Sequence, residues 1–130
     1  MKILHPPGWP RPKGYSNGIS ARGRTIYTAG VIGWDADEKL VSDSLPEQFA
    51  QVLRNTLAIL AEDGAGPEHV VRMTWYVVGI EDYRSGLAEI GAAWKAIMGR
   101  AYPAMAVVEV KALVEPRARV EIETIAVVED

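Results

Sequence analysis

Glu121 and Glu123 stand two residues apart in the alternating run Ala118 to Val128. A strand there puts both carboxylates on one face, with Ile122 and Thr124 on the other. From composition alone, a strand glutamate faces solvent or a salt bridge. Glu109 and Glu123 keep that reading as structural or surface carboxylates. The excluded chemistry is sharper. Cysteine is absent, which removes a disulfide framework, a thiolate nucleophile and a Cys-ligated zinc. The two histidines, His5 and His69, are too few for a multi-histidine metal site or an evident Ser-His-Asp relay. His69 follows a helix stop and is expected to be exposed. His5 lies in a Pro-rich arm, from which it could reach a cleft. No Cys-ligated or multi-histidine metal site is expected.

The elements that must hold these residues are legible in outline. Ser16 to Ala21 reads as a short strand, joined through Gly23-Arg24 to a β-branched strand at 25–32. Leu40-Val41 closes a small hairpin past Gly33 and the polar run 35–39. Ser44 and Glu47 form a capping box, with Pro46 in the first turn. Leu45, Phe49, Val52, Leu53, Leu57 and Leu60 follow the helical period, and Gly64 is the left-handed stop. Val70 to Val78 is a strand. A second helix runs from about Glu81-Asp82 to Met98, its acidic start suiting the macrodipole. Trp94 and Met98 belong to its core stripe. Trp75 could face core or cleft, and Trp34 sits in a loop where it could meet a neighbour. Ala104 to Val114 and Ala118 to Val128 read as strands paired antiparallel through a turn at Glu115-Pro116-Arg117.

Two amphipathic helices bury their stripes on one face of a mixed sheet, which gives a two-layer α+β domain. Met105, Val107, Val108 and Val127 are expected on the other face, too apolar for water. That implies a closed homo-oligomer.

The chain has 130 residues, 48% hydrophobic and 24% charged, with a net charge of −3. That suits one domain, 1–130, with residues 1–14 as a Pro-rich arm. A basic footprint for nucleic acid is missing. Neither a signal-peptide core nor a run of about 20 apolar residues occurs. The expectation is a cytoplasmic protein with no membrane and no nucleic-acid partner.

Several pieces resemble the Rid family, the reactive intermediate deaminases or YjgF-type proteins. They are Gly14-Tyr15-Ser16, Tyr27-Thr28-Ala29-Gly30, the helix Gln48 to Ala61, Val70-Val71-Arg72-Met73-Thr74 and Glu81-Asp82-Tyr83. The most specific are Tyr102-Pro103-Ala104-Met105-Ala106-Val107-Val108-Glu109-Val110 and Val120-Glu121-Ile122-Glu123-Thr124-Ile125-Ala126-Val127. The resemblance implies a chorismate-mutase-like fold and a homotrimer with a small-molecule cleft at each subunit boundary. It implies hydrolysis of 2-imino and enamine acids to 2-keto acids and ammonia, without metal or cofactor. In such proteins an arginine grips the substrate carboxylate, while a glutamate and backbone groups position water.

Carried over by residue, the resemblance puts the cleft tyrosine at Tyr15, the backbone-lining glycine at Gly30 and the glutamate at Glu121. The arginine falls on Met105, the hydroxyl residue on Ala29 and the polar helix residue near Leu87. Three polar contacts have become apolar. Arginine holds a carboxylate bidentately, whereas methionine offers a flexible apolar chain. The resemblance therefore implies an imine or enamine hydrolase acting on a larger or less charged, aromatic substrate. The alternative is a non-catalytic ligand-binding or regulatory trimer using the same cleft. Some relatives carry the labels endoribonuclease L-PSP or translation inhibitor, which an acidic chain without a basic stripe does not support.

Overall fold

The computed structural model describes residues 1–129. The chain runs β1 (Lys2–Leu4), β2 (Gly18–Ser20), β3 (Arg24–Tyr27), α1 (Leu45–Ala61), β4 (Val70–Val77), α2 (Ile80–Ser85), α3 (Leu87–Met98), β5 (Ala104–Glu109) and β6 (Val120–Val128). A four-stranded mixed sheet has the order β3-β6-β4-β5. β6 is antiparallel to both β3 and β4, and β4 is parallel to β5. The parallel pair needs a crossover, and α2 with α3 supplies it. This is the expected two-layer α+β architecture.

The α1 start follows its sequence. The Glu47 N–H donates to Ser44 Oγ at 3.5 Å, and Pro46 occupies the first turn. Past the other end, Gly64 adopts φ +75°. The second expected helix is divided at Gly86, where the chain passes so close to α1 that a Cβ would lie 3.2 Å from Pro46 Cγ. Phe49, Val52 and Leu53 of α1 and Ile90, Trp94 and Met98 of α3 bury against Met73, Trp75, Val77, Val120 and Ile122. Trp75 is 4% exposed and packed in the core, and it also backs a cavity between α3 and β5. Its ring centroid lies 4.8 Å from Phe49 and 5.7 Å from Trp94.

Several expectations are corrected. β5 and β6 are not neighbours, because β4 lies between them. Residues 110–119 form a ten-residue connection containing Pro116 rather than a tight hairpin. β2 pairs with β1 instead of turning back onto β3. Met105 and Val107 do not face outward. Their register opposite Met73 and Trp75 puts them on the helix side, packed against the core. The open face carries Val108, Ile125 and Val127 among Arg72, Thr74, Tyr76, Glu121 and Glu123, and is more polar than expected. The strand expected at 25–32 breaks after Tyr27.

That break has a countable cause. Tyr27 pairs with Ile125, and Val31 makes an isolated bridge to Ile122. Three residues lie between the pairs on one side and two on the other, so one residue is extra. This is a β-bulge at Thr28–Gly30. Thr28 stays tied to β6, donating its N–H to the Thr124 carbonyl at 2.9 Å and accepting the Thr124 N–H at 3.0 Å. Ala29 and Gly30 are the residues pushed out of the ladder.

Candidate functional site

Two cavities divide the expected site residues. Tyr15, Leu87 and Met105 line one of about 600 Å³, together with Trp75, Trp94 and Val107. Ala29, Gly30 and Glu121 line another of about 840 Å³, together with Trp34 and Asn55. The two linings share no residue. Each trio is brought together, but the six residues are not assembled within one chain.

The first cavity is built on the β5 edge. Ser16 bridges Ala104 in parallel register, and its N–H donates to the Pro103 carbonyl at 3.0 Å. Ser16 Oγ also donates to the Tyr102 carbonyl at 2.5 Å. These bonds pin the end of the Pro-rich arm and set Tyr15 beside β5. Met105 and Val107 rise from the sheet, while Leu87, Ile90 and Trp94 come down from α3. Tyr83 completes the aromatic wall. The Trp75 indole N–H is buried without an acceptor.

Burial pushes the Tyr83 phenol above its ordinary value. The folded chain therefore keeps that proton at a pH where the unfolded chain loses it. The stabilising difference is intact below about pH 10 and is lost as pH rises beyond it. Urea titrations of the parent and Tyr83→Phe between pH 9 and 11 should show a steeper loss in the parent. Parallel curves would contradict this.

The second cavity forms where the bulge meets β6. A Cβ built on Gly30 would lie 2.5 Å from Glu121 Oε2, so the carboxylate rests directly on the glycine. Glu123 on the same face, and Glu109 on the helix side opposite Val77, have other duties. Tyr76 OH donates to Glu123 Oε1 at 2.7 Å. That bond, with desolvation and the nearby carboxylates, holds the phenol above its ordinary value. Glu109 Oε2 accepts the Ile80 N–H at 2.8 Å and caps α2. Both therefore fit the structural role expected of them, whereas Glu121 makes no ion pair among the described residues.

Two residues that the sequence reading missed organise this wall. Asn55 Nδ2 donates to the carbonyls of Trp34 at 2.8 Å and Ile32 at 3.2 Å. Gln51 Nε2 donates to Asn55 Oδ1 at 2.8 Å. Their signal was a polar pair at i, i+4 on α1. Trp34 is thereby held in the cavity lining. His69 is half-buried rather than exposed, and its Nδ1 accepts the Gly66 N–H at 2.9 Å. His5 lines a third cavity beside Tyr15, described below. No helix among the described residues is long and apolar enough to cross a membrane.

The family model described as Endoribonuclease L-PSP matches residues 10–128. A RutC family protein of Pyrococcus abyssi is 34% identical over 119 residues, covering 90% of this chain and 89% of its own. The human 2-iminobutanoate/2-iminopropanoate deaminase is 33% identical over 105 residues, covering 80% of this chain and 73% of its own. A solved Rid-family protein of unknown function from Yersinia pestis superposes with a TM-score of 0.86 at 34% identity, covering 98% of each chain. Fold and sequence match agree: the chain belongs to the Endoribonuclease L-PSP family, that of the Rid and YjgF proteins.

Proposed function

We propose that the protein is a homotrimer that hydrolyses the C=N bond of an imine, or of the imine tautomer of an enamine, in a cleft between subunits. The carrying observation is the division of Tyr15, Leu87 and Met105 from Ala29, Gly30 and Glu121 into separate cavities. A second copy can bring one half against the other, and a closed ring repeats that contact identically. Relatives named as iminobutanoate and iminopropanoate deaminases support the reaction class.

Glu121 accepts a proton from a bound water as its oxygen adds to the imine carbon. That proton passes to the imine nitrogen to give a neutral carbinolamine. The carbinolamine hydroxyl then gives its own proton, through Glu121, to the nitrogen, and the C–N bond breaks to release ammonia and leave a carbonyl. The bulge frees the Gly30 backbone from the ladder, so its N–H can serve charge developing in the cleft. Met105 and Leu87 give the first cavity an apolar floor, which fits a bulky side chain better than a bare small 2-imino acid.

Steady-state assays on imines freshly generated from large apolar and aromatic amino acids test this directly. The parent should turn them over, and Glu121→Ala should lose about 10²-fold or more. No turnover of any imine, or an unaffected variant, would sink the reading. An apolar floor without a cation also fits a ligand-binding trimer that performs no chemistry. Thermal stabilisation by ligands that are never consumed would favour that second reading. RNA cleavage has little support in a chain of net charge −3.

A further inference from the structure

Gly14, Tyr15 and Tyr102 line the Met105 cavity and also a neighbouring one of about 410 Å³. The two cavities are therefore contiguous, with a pair of tyrosines between them. Their chemistry differs. The first is walled by Trp75, Trp94 and Tyr83 over Met105 and Val107. The second contains Arg11 and Arg100, with His5, Ser16 and Asn17 as further polar groups.

Charge separates this region from the rest of the chain. The joint lining holds Arg11, Lys13, Lys95 and Arg100 and not one carboxylate. The remaining chain carries ten Lys and Arg against seventeen Asp and Glu. None of the four cations is in an ion pair among the described residues, although five other pairs between charged groups form there. All four are exposed residues, so they stand on the open side while the aromatic wall lies deeper. A concentration of unpaired cations on an acidic protein attracts anions, and aromatic walls take a flat apolar body.

We propose that the two cavities form one bipartite site for a bulky aromatic anion. The aromatic body stacks in the Trp75–Trp94–Met105 cavity, and the anionic group passes the two tyrosines to Arg11 and Arg100. Lys13 and Lys95 supply the longer-range attraction. This names a substrate class for the same cleft and so rests on the Rid-type reading above. Met105 offers an anion no charge, so the groups that can hold one are the cations of the arm and Arg100 just beyond α3. Guanidinium groups suit a carboxylate or a phosphate equally, because both accept paired N–H donors.

Calorimetric titration of the full-length protein separates these terms. The probes are indole-3-acetate, indole-3-acetamide, acetate and phenyl phosphate. Indole-3-acetate should bind, more weakly as salt rises, while its neutral amide and acetate alone bind at least about tenfold more weakly. Phenyl phosphate tests the other anion on the same guanidinium pair. In Arg11→Gln/Arg100→Gln, indole-3-acetate should weaken about tenfold while the amide is unchanged. Circular dichroism and assembly mass should match the parent, since neither side chain is buried. Equal affinity for acid and amide, or an unaffected double variant, overturns the proposal. The two readings fail separately. Anion binding without imine turnover removes the hydrolase, while turnover with an indifferent double variant removes the bipartite site.

Discussion

Gly30→Ala is expected to leave the chain folded and to cost about a hundredfold in turnover. The added methyl would lie 2.5 Å from Glu121 Oε2, 2.7 Å from its Cδ and 3.1 Å from its Cγ. These atoms are the far part of a flexible, half-buried side chain, so the carboxylate can swing away at little cost in stability. The Gly30 φ is not one that excludes alanine. Moving a proton-transfer group by about 1 Å is enough for a 10²-fold loss. Comparing kcat with thermal midpoint on the same preparation checks the split. A collapse of both together would mean that the glycine serves folding alone.

Gln48→Ala is expected to act in the opposite way, costing about 3–5 kcal/mol of stability and lowering Tm by roughly 10–20 °C. Gln48 is completely buried in the first turn of α1. Its Nε2 donates to the Ser42 carbonyl at 2.8 Å and to the Arg117 carbonyl at 3.1 Å. Its Oε1 accepts the Arg119 N–H at 2.7 Å. One amide thus joins the α1 entry to the chain entering β6. Truncation leaves three backbone groups without that partner and opens a void beneath them. Gln48→Glu keeps the acceptor for Arg119 but sets a buried carboxylate oxygen against two carbonyl oxygens, so its midpoint should fall at least as far as that of the alanine variant. A Tm change below about 3 °C for Gln48→Ala would contradict this account.

What the sequence made legible follows from periodicity. The α1 stripe, the valine-rich β4 and the alternation in β6 each announce a buried face through local spacing. Pairing between distant segments leaves no such trace. The run 25–32 is uniformly strand-like, yet its bulge exists only because β6 offers one residue fewer between Ile125 and Ile122. The final two strands looked like a hairpin because they are adjacent in sequence. The α2–α3 crossover instead returns β5 beside β4, leaving β6 on the other side. That placement also rotated Met105 and Val107 onto the helix side, since strand parity depends on the partner's register. Gln48 was overlooked because a polar residue inside an apolar stripe signals burial only when its partners are known. For the candidate site, the resemblance pointed to Tyr15, Gly30 and Glu121. It could not reveal that they belong to two cavities, because sequence order carries no record of which sheet edge each segment reaches.

The cysteine-free chain gives the central claim, one cleft built from two copies, its most direct measurement. Leu87→Cys and Ala29→Cys place a single thiol in each half of the site. The two variants are co-expressed with distinguishable tags and treated with a bismaleimide spanning about 10 Å, a reach suited to residues sharing one ligand cavity. The account predicts a covalent pair containing both tags, at twice the chain mass of 14.2 kDa. Neither variant alone should give that product, since like halves do not meet in a head-to-tail ring. Monomer bands only, or cross-links between like variants, would contradict a cleft assembled from opposite cavities of neighbouring subunits.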